Sequence, residues 1–306
     1  MISFLLRRLL SSLPVALIVL ATCFLLVRLA PGSPFTSERA LDPATRHMLE
    51  SKFGLGGSLP QQLMLYLHNV LQGDLGESLK FRGRTVVEII QQSLPRSLLL
   101  GSISFVLALA VGIPLGAFAA ARQGGGTGRW LNGFALLTLS IPTFVLAPVA
   151  VLFFSFGIPL FPPAGWGTPS QLVLPALCLA LPFVGVCARL TRSGLLETIG
   201  TDFVRTARAK GVSEPSLIFL HALRPALLPL VAYAGPLAAS ILTGSLVIEE
   251  IFAVPGVGQF FVSGVINRDV FLVSGVVLIY CLLLLLFNLI ADWLAALLDP
   301  RIRMET

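Results

Sequence analysis

Basic side chains are concentrated around one glycine, between two long apolar runs of this chain. Arg205, Arg208 and Lys210 precede Gly211 in the segment TDFVRTARAKGVSEPSLIFLHALRPALLP, residues 201–229. The chemistry that guanidinium and ammonium groups offer here is ion pairing and hydrogen bonding at a surface. The segment is therefore predicted to lie at a membrane surface and to dock a soluble partner.

The spacing around this glycine predicts how the segment folds. Apolar residues recur at every fourth position before it, which is typical of a helix with one apolar face. The four residues of this stripe are Leu195, Ile199, Phe203 and Ala207. Gly211 then interrupts the helix, Ser213 can cap a second one, and Pro215 suits its first turn. We expect a helix, a sharp bend and a short helix near residues 212–220.

Signatures of catalysis and nucleotide binding are absent from the sequence. It contains no GxxxxGK[ST] phosphate loop, no HExxH and no GxSxG. The glycine-rich run 124–128 has no lysine after it, and His47, His68 and His221 lack neighbours of metal-ligand type. We therefore expect this chain to have no catalytic residue, to hold no metal or cofactor, and to bind no ATP itself.

Composition places most of the chain in lipid. Of its 306 residues, 56% are hydrophobic and 12% are charged, against roughly 25% charged residues in soluble domains. The net charge of +6 is not gathered in a separate basic domain, so it indicates membrane topology rather than nucleic-acid binding. The four cysteines form no CxxC pair and are expected to be small buried apolar residues. They are Cys23, Cys178, Cys187 and Cys281.

Six apolar runs are each close to the ~20 residues that cross a bilayer. They are Leu9–Leu29, Pro95–Ala121, Leu131–Phe156, Leu172–Leu190, Leu227–Val247 and Val270–Leu298. The first run is too long for a secretory signal, so it is predicted to be an uncleaved membrane helix. Lys and Arg exceed the acidic residues on the side of the two termini, which the positive-inside rule assigns to the cytoplasm.

These runs divide the chain into a membrane helix (1–30), a polar outer insert (31–94) and a core (95–306). In the insert, Asp42 and Pro43 are predicted to open a helix that stops at Gly54. A second helical stripe then ends at Gly73. Its residues are Leu63, Tyr66, Leu67, Val70 and Leu71. We expect the insert to be helical and to pack on the membrane helices.

A short segment before the last span carries an acidic residue at its start. Glu249 precedes the apolar turn Pro255–Gly258, and the segment 249–269 is too short to cross the membrane again. A surface or re-entrant segment at the outer side is therefore expected. Glu249 could face the mouth of a pathway and meet a peptide's amino group, or it could be an interfacial charge with no substrate role.

Several phrases of the sequence resemble the peptide and nickel permease family of binding-protein-dependent ABC importers. DFVRTARAKG with HALRPALLP is similar to that family's cytoplasmic coupling loop, here about residues 191–226. The family also has sequences similar to RLAPGSPFTSER (28–39), to the PGxG turn after Val-Ile-Glu, and to the ending DPRIR (299–303). Within the family, these motifs most resemble the oligopeptide permease B subunit. The superfamily's Glu-Ala-Ala triplet is replaced here by Arg205, Thr206 and Ala207, without the acidic residue.

The resemblance implies an all-α membrane protein of the type I ABC importer kind in a bacterial inner membrane, with cytoplasmic termini. It implies a second homologous permease, two ATPase subunits that bind ATP and Mg²⁺, an extracytoplasmic peptide-binding protein and a peptide substrate. Residues expected to couple to the ATPase are Asp202, Arg205, Thr206, Ala207, Gly211 and Glu214. Dipeptides or nickel are the alternative substrates within the family.

Two readings from other classes have less support in the sequence. A charged side chain at the centre of a bilayer costs at least ~2.5 kcal/mol. Ion-coupled carriers nevertheless keep such residues inside their membrane spans, because the residues bind the coupling ion. Such residues are nearly lacking here, and no paired broken helices are evident. An intramembrane enzyme would need a nucleophile and a base that face each other, and the sequence offers no such pair.

Overall fold

The regular secondary structure is helical in the part of the chain that a computed structural model describes, residues 2–30, 48, 51, 53–122 and 126–298. These residues contain no strand beyond a single bridge between Glu77 and Thr85. The helices of the first half are α1 (Ile2–Leu29), α2 (Leu59–Leu71), α3 (Val86–Ala121), α4 (Gly126–Ser140), α5 (Thr143–Val151) and α6 (Pro169–Ile199). The helices of the second half are α7 (Asp202–Ala209), α8 (Glu214–Ser216), α9 (Leu223–Ala226), α10 (Leu228–Ile251), α11 (Val257–Ile266) and α12 (Val270–Leu298). Two π-helical turns, Leu152–Gly157 and Leu217–Ala222, extend α5 and join α8 to α9.

Four of these helices are long and apolar enough to cross a membrane: α3, α6, α10 and α12. Shorter apolar helices cover Leu13–Leu29, Thr143–Gly157 and Val257–Ile266. The prediction of an all-α membrane protein is therefore confirmed. The predicted last span has the same bounds as α12.

Two predicted spans differ from the structure because of local capping. Helix α3 begins at Val86, nine residues before the predicted span and inside the predicted insert, because Thr85 and Glu88 form a capping box. Pro95 lies within this helix rather than at its start. The predicted third span is not one continuous helix: α4 ends at Ser140 and Pro142 caps α5, since proline cannot donate the hydrogen bond that would continue α4.

Helices α3 and α6 approach each other closely where α3 presents two glycines four residues apart. A Cβ on Gly116 would lie 2.3 Å from the carbonyl oxygen of Ala188, and one on Gly112 would lie 2.5 Å from the Cβ of Cys187. Small residues at this spacing allow membrane helices to pack backbone against backbone. The pair forms a rigid centre for the core.

The described part of the insert packs on α1 and α12 through aromatic side chains. Tyr66 stacks on Phe24 with 5.2 Å between ring centroids and contacts Phe271 at 5.7 Å. Leu63, Leu67 and Val70 join this cluster, whereas Leu71 of the predicted stripe is exposed. Helix α2 ends at Leu71, before Gly73 as predicted. The helix predicted from Asp42 to Gly54 lies almost entirely outside the described residues.

A buried carboxylate ties this insert to the end of α11. Asp269 is fully buried and accepts hydrogen bonds from the Ser78 hydroxyl at 2.5 Å and from the backbone N–H of Lys80 at 3.1 Å. Its other oxygen accepts from the N–H of Leu272 in the first turn of α12. The insert and the segment 252–269 therefore lie at one end of the bundle, called here the insert end. Residues 200–226 lie at the opposite end, called the loop end.

Candidate docking site

The segment at the loop end begins where α6 stops, at Ile199. The prediction that one apolar stripe continues beyond this residue is wrong. The Thr201 hydroxyl donates to the carbonyl oxygen of Thr198, and a new helix, α7, starts in another direction at Asp202. Phe203, expected to face inward, is half exposed, whereas Val204 is fully buried. The sequence periodicity thus runs across two helices that do not share one axis.

Gly211 forms the predicted bend. Its φ is +81°, a conformation that residues with a side chain rarely adopt. Its N–H donates to the carbonyl oxygen of Arg208 at 3.0 Å, and the N–H of Val212 donates to that of Ala207 at 3.3 Å. This pair of bonds is a Schellman ending for α7. Ser213 then occupies the N-cap position of α8, with Pro215 in the first turn.

The inner side of the segment is held by an apolar cluster. Val204, Leu217 and Ala222 are fully buried and pack with Leu195 of α6 and Ala120 of α3. Helix α9 also lies directly on α6, since a Cβ on Gly194 would be 2.2 Å from the carbonyl oxygen of Ala226. The segment 202–226, called here the docking segment, is therefore packed tightly against α3 and α6.

The outer side of the docking segment combines charged and apolar groups. Five of the six predicted coupling residues are exposed: Asp202, Arg205, Thr206, Gly211 and Glu214. The sixth, Ala207, is half-buried beside the apolar cluster. Three large apolar residues also face outward, namely Phe203, Phe219 and Leu220, the last with 73% of its surface exposed.

Phe219 and Leu220 were not identified from the sequence as candidate contact residues. The signal for them is the run Leu217 to Leu220, four consecutive apolar residues that cannot all face one core on a helix. In the structure the first two are buried and the last two are exposed. Exposed apolar groups rimmed by charged residues are typical of protein interaction sites.

One ion pair closes the bend across Gly211. The Nε of Arg208 lies 2.6 Å from Oε1 of Glu214, and its Nη2 lies 3.2 Å from Oε2. This two-pronged contact raises the pKa of Arg208 and lowers the pKa of Glu214. Asp202 and Arg205 form a looser exposed pair at 3.5 Å. The bend is thus shaped by backbone hydrogen bonds and by one well-aligned ion pair.

We expect Glu214→Ala to speed amide hydrogen exchange of Gly211 and Val212 by roughly two- to fivefold, in line with the weak coupling of exposed ion pairs. The exchange of charges, Arg208→Glu with Glu214→Arg, should restore most of the protection. Because the pKa of Glu214 is lowered, the contribution is present above the ordinary pKa of a glutamate and is lost as pH falls through the lowered value.

The matched control is Asp202→Ala, which removes an exposed carboxylate that does not span the bend. It should leave exchange at Gly211 and Val212 unchanged. Equal acceleration by Asp202→Ala and Glu214→Ala, or no recovery in the charge-exchanged variant, would show that the pair does not hold the bend.

Glu249, which the sequence left as a residue of a pathway mouth or as an interfacial charge, is covered by the chain's own residues. It is fully buried: its Oε1 accepts from the Ser245 hydroxyl at 2.8 Å and its Oε2 accepts from the N–H of Gly258 at 2.7 Å. The physical reason is the turn that follows, whose N–H groups need an acceptor once they leave water. The neighbouring carboxylate, Glu250, is the exposed one.

Helix α3 fastens the same turn from its other side. The N–H of Val257 donates to the Ser97 hydroxyl at 2.9 Å, and the Arg96 guanidinium donates to the carbonyl oxygen of Pro255 at 3.1 Å. The segment 252–258 is thereby fixed between α3 and α10. Within the described ranges, no three His, Cys, Asp or Glu side chains come together as metal ligands would.

The fold and the site define a class of protein: a helical membrane protein with a bent, firmly attached docking segment at one end. The protein families that match the sequence belong to the same class. The family described as "Binding-protein-dependent transport system inner membrane component" matches residues 112–304, and the corresponding N-terminal family matches residues 1–101. The chain therefore belongs to this family of inner membrane transport components.

Curated relatives match over the whole chain. The oligopeptide transport system permease proteins OppB of Haemophilus influenzae and Salmonella typhimurium are 42% and 41% identical, each over 99% of this chain and 100% of the relative. The dipeptide transport system permease protein DppB of Bacillus subtilis is 37% identical over 100% of this chain and 99% of its own length.

A solved structure supports the fold. The MetNI methionine ABC transporter, in an inward-facing conformation, has a chain that aligns with a TM-score of 0.55 and 19% identity. The alignment covers 69% of this chain and 96% of that one. The fold is thus that of a type I ABC importer permease.

Proposed function

We propose that this chain is the permease subunit of an ATP-driven importer of oligopeptides and forms the translocation pathway with a second homologous permease. The observation that carries the proposal is the 40–42% identity to oligopeptide permeases over essentially the full length. The pathway-forming part is the membrane core, and coupling resides in residues 191–226. ATP and Mg²⁺ are bound by two separate ATPase subunits.

The geometry of the docking segment suits this role. Its apolar cluster joins it to α3 and α6, and close-packed interiors transmit displacement rather than absorb it. A push on the exposed face of α7 and α8 therefore moves the two central helices. In the proposed mechanism, closure of the ATPases supplies this push and exposes the pathway alternately to the two sides of the membrane.

The proposal orients the chain with its loop end and its termini in the cytoplasm. The basic residues of the docking segment favour that side, and an ATPase would meet them there. The insert end then faces outward, where a binding protein would deliver peptide to the surface that Asp269 and the described insert hold in place.

A dipeptide importer is the second candidate function. The 37% full-length identity to a dipeptide permease supports it, and the two candidates differ only in the length of peptide carried. They share the docking segment, the pathway and the energy source.

Reconstitution tests the proposed function. The chain would be co-purified with its second permease, its ATPases and its binding protein, and placed in liposomes. We expect ATP-dependent accumulation of a radiolabelled tetrapeptide, with dialanine as the competing shorter substrate. Accumulation of dialanine alone would favour the dipeptide function, and uptake that persists with inactive ATPases would reject an ATP-driven importer.

Arg205→Glu is expected to reduce co-purification of the ATPase with this chain by at least about fivefold, because a reversed charge at an exposed contact repels as well as removes attraction. Arg205 projects from the docking segment with 70% of its side chain exposed, so folding should be unaffected. Arg205→Lys keeps the charge and serves as the matched control. Undiminished recovery of ATPase with the Glu variant would remove Arg205 from the contact.

A further inference from the structure

One face of α10 is exposed along the whole length of the helix. Its members recur at alternating steps of four and three residues, which places them in a single line on a helix. They are Pro229, Tyr233, Pro236, Ser240, Thr243, Val247 and Glu250; Ser240 is partly and the others more fully exposed. Four of the seven are polar, and α10 is the least apolar of the four long helices.

The corresponding exposed face of α12 is different. Its residues are Leu282, Leu286, Ile290, Trp293 and Leu297, each between 41% and 48% exposed. This composition is the one expected for contact with lipid tails. Ser240 and Thr243 lie away from both ends of α10, which runs from Leu228 to Ile251, so the ends of the helix alone do not explain the polarity of this face.

Polar groups on an exposed membrane face have a cost unless they meet water or a polar partner. Of the hydroxyls of Tyr233, Ser240 and Thr243, only that of Thr243 is hydrogen-bonded within the described part of the chain, donating to the carbonyl oxygens of Ala239 and Ser240 at 3.1 and 3.2 Å. The oxygen lone pairs of Thr243 and the hydroxyls of Tyr233 and Ser240 can therefore form hydrogen bonds with water or with a bound molecule. Glu250 adds an exposed carboxylate at the insert end of the line.

We propose that this face of α10 lines the water-filled pathway and contacts the transported solute. Hydroxyl groups donate to and accept from peptide amides, and the Glu250 carboxylate suits a cationic amino terminus. The site thus fits a peptide in extended form. The assignment rests on the proposed function, which it deepens by naming substrate-contact residues.

Thiol labelling tests the assignment in the full transporter. The four natural cysteines are replaced by alanine, and Ser240→Cys, Thr243→Cys and the lipid-facing control Leu286→Cys are compared. A charged methanethiosulfonate reacts with the thiolate, which forms readily only where water reaches the sulfur. We expect the two α10 cysteines to react at least about tenfold faster than the α12 cysteine, and saturating trialanine with its binding protein to slow them.

The outcomes separate this inference from the proposed function. Labelling is read from the modified chain on a gel and needs no transport, whereas peptide uptake is measured separately on the transporter that keeps its natural cysteines. Absent uptake rejects the proposed function. Rates for Ser240→Cys and Thr243→Cys as slow as that for Leu286→Cys overturn the water-filled face, and fast rates that trialanine leaves unchanged overturn the contact with solute.

Discussion

Gly211→Pro is expected to leave the chain folded in the membrane and to abolish most peptide uptake. Proline holds φ near −65° and has no N–H, whereas Gly211 has a φ of +81° and donates to the carbonyl oxygen of Arg208. The substitution removes both features of the Schellman ending, so α7 and α8 must change their relative direction. The contact face of the docking segment is then broken into two parts.

The measurement is uptake and ATP hydrolysis in the reconstituted transporter. We expect uptake to fall by about tenfold or more while ATP hydrolysis continues, because each 1.4 kcal/mol lost from a coupled contact is a factor of ten. Insertion is checked by recovery of the chain from membranes. Wild-type uptake by Gly211→Pro would contradict the assignment of coupling to this bend.

Two milder substitutions isolate the backbone requirement. No heavy atom lies within 4 Å of where a Cβ on Gly211 would be, so Gly211→Ala meets no clash and carries only the left-handed penalty of about 1–2 kcal/mol. Gly211→Asn carries less, since asparagine tolerates this conformation better. Uptake should therefore fall in the order Gly, Asn, Ala, Pro. Uptake by the Asn variant lower than that by the Ala variant would indicate that side-chain volume, rather than backbone conformation, is the cause.

The sequence was sufficient to predict where a helix begins or ends when residues close to that point determine the backbone conformation. Gly211 was predicted to end a helix and does so, and the last span was predicted with the bounds of α12. In both cases the deciding factor is close in sequence: a residue that tolerates positive φ, or an unbroken apolar run. Neither depends on which other helices surround the element.

The direction that side chains face was harder to predict. Phe203 fitted a four-residue stripe, yet Val204 is the buried residue, because the stripe takes no account of the break at Thr201. Likewise, the sequence could not decide whether Glu249 faces a pathway mouth. Only the approach of Gly258, nine residues later, decides that Glu249 is buried and Glu250 exposed.

Contacts between distant segments were not predictable at all. Ser78 and Asp269 are 191 residues apart and meet at 2.5 Å. Ser97 and Val257 are similarly remote in sequence. These hydrogen bonds fix the insert end, because they give partners to backbone and side-chain groups that no longer contact water once they are buried. The pattern of a single sequence does not indicate which distant residues form such pairs.

Glu249→Ala is expected to destabilise the insert end strongly. It removes the acceptor of the Gly258 N–H and one partner of the Ser245 hydroxyl, and an unpaired buried amide alone costs about 1–3 kcal/mol. The segment 252–258 would then lose its side-chain hydrogen bond to α10 and keep its hydrogen bonds to α3. We expect a lower Tm of the purified chain in detergent and increased proteolysis at residues 252–258.

Glu249→Gln is the informative comparison, because one amide can meet both partners. Its oxygen can accept from the Gly258 N–H, and its NH₂ can donate to the Ser245 oxygen. The Ser245 proton is then left to the carbonyl oxygen of Leu242, which lies 2.6 Å from the hydroxyl oxygen. The Gln variant should therefore retain most of the Tm that the Ala variant loses. Glu250→Ala removes the exposed neighbour and should leave Tm unchanged. If Gln is as damaging as Ala, the negative charge matters beyond these two hydrogen bonds; if neither lowers Tm, the carboxylate does not hold the turn.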